Sequence, residues 1–451
     1  MARTCPANGT IPRVSGRTLR AAGLVILVGA CSSSRGAAGT PTGSAQFTVQ
    51  VELASQVKSS APTTVGIVTW STTAPGITSA EIDFGLDTTY GMVAPVDLKR
   101  TDYRTVLLGM KPEKTYHFRV VASDGTTTHA SQDHLLATGA KNTASPIASF
   151  SVSDAAKLAR GFFVASFWYG TNAEMPFIFD TDGDVVWWYQ PGPGESTDGV
   201  AQAKMSADGQ SVWLVNEILS GAPLRRVSID GLTTQTYENT SASHAIAAVG
   251  GDTMVYLDYT AGKGACNPVF EIDSTGVTKL LWTPTNPPLV LGSFPSCHAN
   301  ALRYSLKEDQ ITYSDLLQDV VVLDRGGNVK WTLAGRVTGG NSDWGGRQHG
   351  HQLTDDSMIL FANDGAGTDQ AQAVEYGLDG SLKRRFASNG SASNFGDVQR
   401  LANGNTVITY KTSLQEVDAS DALVLEVTGS SQFGYVEFRE SLYGLPLDIQ
   451  Q

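Results

Sequence analysis

Charged residues are scarce in this chain of 451 residues, and long amphipathic helices with Glu/Lys pairs are nearly absent from it. Asp, Glu, Lys and Arg together make up 17% of the sequence, which leaves little material for solvent-exposed helix faces. The chain instead has 47 glycines and is rich in Val, Thr and Ser, a composition that favours short strands joined by tight turns. We therefore predict an all-β protein, and the length predicts more than one domain.

Basic residues are outnumbered by acidic ones. Lys and Arg number 32 against 44 Asp and Glu, which gives a net charge of -12. An acidic surface repels phosphate backbones, so we expect no nucleic-acid partner. A small anionic substrate is not excluded, because the local field of a pocket can oppose the field of the whole surface.

The N-terminal segment has the pattern of an export signal. Four arginines precede a short apolar run, residues 21–30, which is too short to span a bilayer as a mature helix. The run ends at Val28-Gly29-Ala30-Cys31, which resembles a bacterial lipobox. We predict a lipoprotein signal peptide at 1–30 and acylation of Cys31. The protein would then be exported and lipid-anchored in the cell envelope, with no other membrane contact. Ordinary secretion with an incidental Cys31 is the alternative.

Cysteine is rare, with four in the chain. Cys5 lies in the predicted signal peptide and Cys31 at its end, so Cys266 and Cys297 are the two left in the exported domains. A disulfide between them is allowed outside the cytoplasm. Two free buried thiols are an equally good interpretation.

Three segments precede the large C-terminal region. Residues 31–46 are small and polar and predict a flexible tether. Residues 47–139 show strand-like alternation, and the turn Lys111-Pro112-Glu113 before Tyr116 resembles the corner of a fibronectin type III sandwich. We expect this sandwich to act as a spacer or packing module, with its histidines at the surface. Residues 140–160 are expected to be a linker.

The region 161–451 repeats one plan. Apolar strands turn through an Asp-Gly type hairpin into a second strand, at 176–188, 226–231, 269–276, 320–331 and 374–380. Comparable positions at Met205, Val249, Tyr304, Leu353 and Leu401 are spaced by 44, 55, 49 and 48 residues. This period is typical of four-stranded propeller blades, and the region has room for six.

Three histidines stand at the start of successive predicted blades: His244, His298 and His349. Residues that begin the innermost strands lie at one mouth of a propeller, so we expect these imidazoles to converge. His351 is two residues beyond His349, and alternation along a strand would direct both to one cavity. Converging imidazoles suit nucleophilic catalysis or a metal site. Ordinary histidines of the core or the rim, with their hydrogen bonds satisfied, are the third possibility. The absence of carboxylates or thiolates at ligand spacing weakens the metal interpretation.

Several segments, in the order in which they follow along the chain, resemble the bacterial arylsulfotransferases. These are aryl-sulfate sulfotransferases that do not use PAPS. The matching segments are 177–187, 243–246, 298–304, 320–335, 348–349 with 359–363, and 396–409. The resemblance implies a six-bladed propeller behind an N-terminal β-sandwich, exported and without a metal or nucleotide cofactor. It also implies a ping-pong reaction, in which a histidine takes a sulfuryl group from a phenolic sulfate ester and passes it to an acceptor phenol.

The resemblance assigns roles to individual residues. His349 corresponds to the nucleophile, and His298 and His244 to the histidines that hold the sulfuryl oxygens and assist proton transfer. Asp315 stands where the family usually has an arginine, so Arg347 or Arg400 is expected to supply the positive charge. The loop before His349 is about one residue shorter than usual, which leaves His351 as an alternative nucleophile or substrate-binding residue.

Two other functions remain open at this point. One is a non-catalytic surface propeller that binds a glycan, a peptide or a protein, which Asp315 favours. The other is a metal-dependent lyase or hydrolase that uses the same histidines.

Overall fold

Strands make up almost all of the regular structure. A computed structural model describes residues 45–192, 198–216, 221–260, 267–284, 298–315, 319–333, 347–363 and 370–444. Within them the helical segments are the four-residue helix α1 (Ala54–Val57) and a 3-10 turn at Thr101–Tyr103. The predicted all-β class is confirmed. The predicted signal peptide, Cys31 and the pair Cys266 and Cys297 lie outside the described residues.

The first eight strands form two antiparallel sheets. They are β1 (Phe47–Leu53), β2 (Gly66–Thr72), β3 (Ser79–Gly85), β4 (Met92–Pro95), β5 (Thr105–Leu107), β6 (Thr115–Ser123), β7 (Thr128–Ala130) and β8 (His134–Ala137). One sheet has the order β1-β2-β5, and the other the order β4-β3-β6-β7 with β8 also paired to β6. Burial alternates along β6, so Tyr116 and Phe118 face the core between the sheets. Tyr116 Oη accepts a hydrogen bond from the Lys111 backbone N at 2.8 Å, across the turn that the sequence indicated. His129, which was expected at the surface, is buried.

The remaining strands follow in chain order. The first group is β9 (Ile147–Val152), β10 (Phe162–Ala165), β11 (Phe167–Tyr169), β12 (Phe177–Asp180), β13 (Val185–Trp188), β14 (Val200–Met205), β15 (Ser211–Asn216), β16 (Ala222–Ser228), β17 (Thr234–Gly250), β18 (Thr253–Asp258), β19 (Val269–Ile272) and β20 (Thr278–Trp282). The second group is β21 (Ala299–Ser305), β22 (Gln310–Asp315), β23 (Asp319–Asp324), β24 (Val329–Thr332), β25 (Gln348–Leu353), β26 (Ser357–Ala362), β27 (Ala371–Gly377), β28 (Leu382–Gly390), β29 (Asp397–Arg400), β30 (Thr406–Thr409), β31 (Ser413–Val417), β32 (Leu423–Gly429), β33 (Gln432–Phe433) and β34 (Glu437–Arg439).

These strands form the antiparallel, sequentially connected sheets of a β-propeller. Strands β21 to β24 form one sheet and β25 to β28 the next, while β14 to β20 form a seven-stranded sheet. The propeller is closed by a late strand that pairs with an early one. Strand β34 pairs with β10, in the sheet that also contains β12 and β13. The number of blades stays a prediction, since the 17-residue strand β17 runs through the seven-stranded sheet and joins two sets of strands.

The segment 140–160 is more than a linker. Residues 147–152 form strand β9, which pairs along β32 and becomes the outer strand of the last sheet. The pattern of these six residues does not show this, because most of them are exposed and only one edge of the strand is paired. The chain therefore contributes a strand to the last propeller sheet before it forms the first propeller sheet.

The predicted hairpins form because an aspartate at the end of one strand caps the turn. Asp324 Oδ1 accepts hydrogen bonds from the backbone N of Gly326 and of Asn328, both at 2.9 Å. Gly327, inside the turn, has a φ of 82°, which glycine adopts without steric cost. The same capping recurs at Asp273, whose Oδ1 accepts from Thr275 N at 2.9 Å. These turns set the register of each strand pair.

Polar side chains link neighbouring inner strands. Gln202 Oε1 on β14 accepts from Ile246 N on β17 at 2.9 Å, and Asn300 Nδ2 on β21 donates to Gln348 O on β25 at 2.5 Å. Buried amides with backbone partners fix the relative height of adjacent strands. They therefore help to hold the strand starts at one common end of the propeller.

The sandwich contacts the first propeller sheet through a cluster of charges. Lys111 Nζ lies 3.2 Å from Asp180, 2.7 Å from Asp182 and 2.9 Å from Asp184, all in the hairpin between β12 and β13. The described residues all belong to one compact unit. None of the described helices is long and apolar enough to cross a membrane.

Candidate functional site

His244 and His298 form a close pair of imidazoles. Their Nε2 atoms lie 3.1 Å apart and their ring planes meet at 83°. His244 Nδ1 is 3.0 Å from Ser243 Oγ. A hydrogen bond between two ring nitrogens holds one proton, so one Nε2 donates while the other accepts. The pair can therefore exchange roles as donor and acceptor without changing position.

His349 is held in one tautomer by Asn363. His349 Nδ1 lies 2.5 Å from Asn363 Oδ1. Asn363 Nδ2 donates to the carbonyl oxygens of Ala392 at 2.9 Å and Phe395 at 2.7 Å, and this orients the amide. Because Asn363 Oδ1 can only accept, Nδ1 of His349 carries the proton. Nε2 of the neutral ring then keeps its lone pair.

Burial keeps His349 neutral. Loss of hydration lowers the pKa of His349 to about 3, and the positive charge of Arg347 and of His298, when protonated, acts in the same direction. The hydrogen bond to Asn363 opposes this change in pKa. Arg347 precedes β25, and its carbonyl accepts from Asn363 N at 3.1 Å. Two of the predicted site residues, His298 and Arg347, therefore act electrostatically on a third, His349.

Four aromatic rings form a stacked column through the site. Trp168 stacks on Phe395 at 5.0 Å, Phe395 on His244 at 5.8 Å, and His244 on Tyr259 at 5.2 Å, with interplanar angles of 28°, 15° and 10°. His349 also contacts the Phe395 ring, with a centroid distance of 5.8 Å. The imidazole of His244 thus lies between two aromatic faces, and Phe395 joins it to His349.

Two of these four residues have a strained backbone. His244 has a φ of 66° and Phe395 a φ of 56°, values at which a side chain with a Cβ is unfavourable. Strained non-glycine residues concentrate at functional sites, where surrounding contacts hold them. Their contact with each other marks this region as the candidate site.

The rings of His351 and His349 have different hydrogen-bond partners. The pairing of β25 with β26 shifts register between Gln348 and His351, so simple alternation fails there. His351 is fully buried and its Nε2 lies 2.7 Å from Thr312 Oγ1 on β22. His349 contacts the segment that follows β26 instead. The expectation that the two rings face one side does not hold, because a bulge separates them.

Arg400 lies away from the histidines. It ends β29, three residues beyond Asp397, so the strand alone places it about 10 Å from the start of the strand. Its guanidinium binds Glu375 at 2.8 Å, and it lines a cavity of about 710 Å³ formed by turns at the strand ends. The expected role of Arg400 in binding a sulfuryl group at the histidines therefore does not fit its position.

Asp315 is beside His298. Its carboxylate Oδ2 lies 3.4 Å from the backbone N of His298, and its carbonyl accepts from Gln348 Nε2 at 2.5 Å. The side chain is 5% exposed. The position at which the resemblance expects an arginine is thus part of the site, and it carries a negative charge.

A buried ion pair is connected to the column through Tyr435. Arg303 binds Asp397, and the Arg303 guanidinium lies 5.8 Å from the centre of the Tyr435 ring. Tyr435 in turn contacts Phe395 at 5.2 Å. Asp397 neutralises this cation, whereas Arg347 is an arginine whose charge lowers the pKa of His349.

Several contacts in the site were not foreseen from the sequence. Asn363 ends an apolar strand-like run, and a polar residue at that point was the signal that could have identified it. Phe395 precedes a glycine at a predicted strand start. Trp168 and Tyr259 have no distinguishing pattern. Among the described residues, no group of three or more His, Cys, Asp or Glu could hold a metal ion.

No protein-family model matches the sequence, and no curated protein matches it. Solved structures with similar folds are propellers. They include TolB from Acinetobacter baumannii, with 14% identity, a TM-score of 0.41 and coverage of 74% of this chain and 80% of that one. The C-terminal WD40 domain of Sif2 has 11% identity, a TM-score of 0.39 and coverage of 72% and 90%. The WD40 propeller domain of Doa1 has 10% identity, a TM-score of 0.39 and coverage of 69% and 93%.

Proposed function

We propose that this protein transfers a sulfuryl group from a phenolic sulfate ester to an acceptor phenol, with His349 Nε2 as the nucleophile. The observation that carries the proposal is the hydrogen bond from His349 Nδ1–H to Asn363 Oδ1 at 2.5 Å. It leaves a neutral imidazole with a free lone pair at Nε2, beside two further histidines. A neutral nucleophile is required, since a protonated ring has no lone pair to donate.

The reaction has two displacement steps. In the first, Nε2 attacks sulfur and the bond from sulfur to the phenolic oxygen breaks, so the bonding pair leaves on the phenolate. The sulfated ring then carries a positive charge on its Nδ1–H side, which Asn363 Oδ1 stabilises. In the second, the oxygen of the acceptor phenol attacks sulfur, the bond from Nε2 to sulfur breaks, and His349 regains its lone pair. No oxidant, metal or cofactor enters this balance.

His244 and His298 suit the proton transfers of both steps. When the pair carries one additional proton, it can give that proton to the leaving phenolate and later take one back from the acceptor hydroxyl. The donating N–H can also bind a sulfuryl oxygen as its charge grows. Arg347 adds positive charge near His349. Asp315 opposes the binding of a sulfate, so we expect weak donor binding.

The proposal is tested with p-nitrophenyl sulfate as donor and phenol as acceptor. We expect nitrophenolate release that depends on phenol and survives a chelator. His349→Ala should abolish it, and His117→Gln, on the sandwich surface, should not. Release that disappears with the chelator would favour a metal-dependent lyase or hydrolase instead.

A second candidate is a non-catalytic propeller that binds a glycan, a peptide or a protein. The observation that favours it is the Asp315 carboxylate beside His298, which is unfavourable for an anionic donor. Folded protein that releases no nitrophenolate under any condition would support this candidate.

We also propose that the protein is exported and anchored through Cys31. The basis is the sequence pattern before that residue. Labelling with a fatty-acid analogue tests it. Label and membrane association that persist in Cys31→Ala would contradict it.

A further inference from the structure

Phe395 has a backbone conformation that is unfavourable for any residue with a Cβ. Its φ is 56°, and the following residue, Gly396, has a φ of 107°. Glycine would relieve the strain at position 395, because it adopts positive φ without steric cost. The phenyl ring must therefore make contacts that offset this backbone strain, which a glycine could not make.

The side chain touches both parts of the site. Its ring is 5.8 Å from His244 and 5.8 Å from His349, and it stacks on Trp168 at 5.0 Å. It is only 3% exposed.

The backbone of Phe395 is tied to the same histidine. Its carbonyl accepts from Asn363 Nδ2 at 2.7 Å, and Asn363 Oδ1 holds His349 Nδ1. The neighbouring Gly396 O accepts from Gly350 N at 3.0 Å, next to His349 in the chain. A Cβ on Gly396 would lie 2.0 Å from the Phe361 ring, so the loop has little freedom to move.

We propose that Phe395 is a positioning residue that fixes the imidazole planes of His244 and His349. The Phe395 ring fills the space between the pair His244 and His298, which transfers protons, and the nucleophile His349. It keeps His244 Nε2 directed at His298 and His349 Nδ1 directed at Asn363, and it keeps water away from the His349 ring. The catalytic part of this proposal rests on the sulfuryl-transfer function, whereas the geometric part does not.

The strained backbone serves two contacts at once. It places the Phe395 ring against the histidines, and it presents the Phe395 carbonyl to Asn363. A smaller side chain would leave space between His244 and His349. Water would enter that space, and the His349 ring could rotate or gain a proton. Trp168 supports the far face of Phe395, so it acts on the histidines only through that ring.

The experiment uses the full chain with ¹⁵N-labelled imidazoles. NMR reports the tautomer and the protonation of each histidine, independently of any activity. The variants are Phe395→Leu, which removes the ring, and Phe395→Tyr, which keeps it. Phe438→Leu is the matched control, because Phe438 is 2% exposed and packs on Phe163, away from the histidines.

We expect wild type and Phe395→Tyr to show His349 as the neutral Nδ1–H tautomer. In Phe395→Leu the midpoint of His349 protonation should rise by at least about one pH unit, as water reaches the ring. Sulfuryl transfer should fall by about 10²-fold, the usual effect of a reacting group displaced by about 1 Å. Phe438→Leu should leave both measurements at the wild-type level.

Unchanged His349 and His244 spectra in folded Phe395→Leu would overturn the proposal. Equal changes in Phe438→Leu would also overturn it, since the effect would then be a general loss of packing. If wild type transfers no sulfuryl group, the proposed function falls, but the spectra still decide the positioning role.

Discussion

Asn363 and His349 are joined by a hydrogen bond of 2.5 Å between Oδ1 and Nδ1, and the same amide donates to two carbonyl groups behind it. A single side chain thus sets both the tautomer of the imidazole and the position of the loop that carries Phe395. The orientation of His349 is determined by the segment after β26, rather than by the strand that contains the histidine.

Replacing Asn363 with alanine tests this relationship. We expect turnover to fall by about 10²-fold, because His349 loses the acceptor that fixes its tautomer. Stability should also fall by about 1–3 kcal/mol, since two buried carbonyls lose their donor. Asn405→Ala is the control, because Asn405 is buried, donates to Lys157 O at 2.8 Å and lies in the turn after β29, at the opposite end of that strand from Phe395. It should cost comparable stability in urea unfolding and keep turnover. Equal loss of turnover in both variants would contradict the assignment.

Asp315 is predicted to limit the binding of anionic donors. Asp315→Arg should raise kcat/KM for p-nitrophenyl sulfate by about tenfold or more, which corresponds to about 1.4 kcal/mol of improved transition-state binding. Asp315→Asn should give a smaller gain in the same direction. Asp355→Arg makes the same charge change at an exposed position and should leave kcat/KM unaltered. A folded Asp315→Arg variant with no gain would favour the binding propeller.

The acid sensitivity of the fold should depend on the buried histidines. Burial lowers the pKa of both His349 and His351 to about 3, from 6.5 in an exposed histidine. Between these values the unfolded chain binds protons that the folded chain does not. Stability is therefore complete above about pH 6.5 and is lost as pH falls towards 3. Each site should contribute a slope of about 1.4 kcal/mol per pH unit in that window.

His351→Gln removes one of these titrating groups. We expect its unfolding free energy to fall less steeply than that of wild type between pH 6 and pH 4, although its stability at pH 7 is lower. Urea unfolding at several pH values measures both slopes. Parallel slopes would show that His351 does not resist protonation in the folded protein.

Lys111 is predicted to stabilise the contact between the sandwich and the first propeller sheet. Lys111→Met leaves three aspartates close together without their shared cation, so we expect a loss of about 1–3 kcal/mol. The control is Lys383→Met, whose partner Asp356 is exposed, and this change should cost less than about 0.5 kcal/mol. Chemical unfolding of both variants provides the comparison. Similar losses would indicate that the cluster around Lys111 adds no more than a surface ion pair.

The sequence predicts those features that depend on local chemistry. The turns at Asp273 and Asp324 are recognisable because the same side chain caps each hairpin, and the repeated spacing of these turns indicates a propeller. The convergence of His244 and His298 was predicted from their equal positions before two apolar runs, although His244 lies inside the long strand β17 and His298 directly precedes β21. These inferences use only neighbouring residues and a regular period.

Other features depend on pairings that no local pattern records. The bulge before His351 arises from the register of β25 against β26, so alternation could not place that ring. Strand β9 forms only because β32 offers it an edge. Arg400 has the right charge, but it stands at the far end of its short strand. The roles of Phe395 and Asn363 require contacts across separate segments of the chain.

The central claim is that His349 becomes sulfated at Nε2, and mass spectrometry of the enzyme trapped with donor and no acceptor tests it most directly. We predict one added sulfuryl group, mapped to the peptide that contains His349 and removed by phenol. His349→Ala should take up no label. Label on His351, or full activity of His349→Ala with no label on the wild-type protein, would contradict the account.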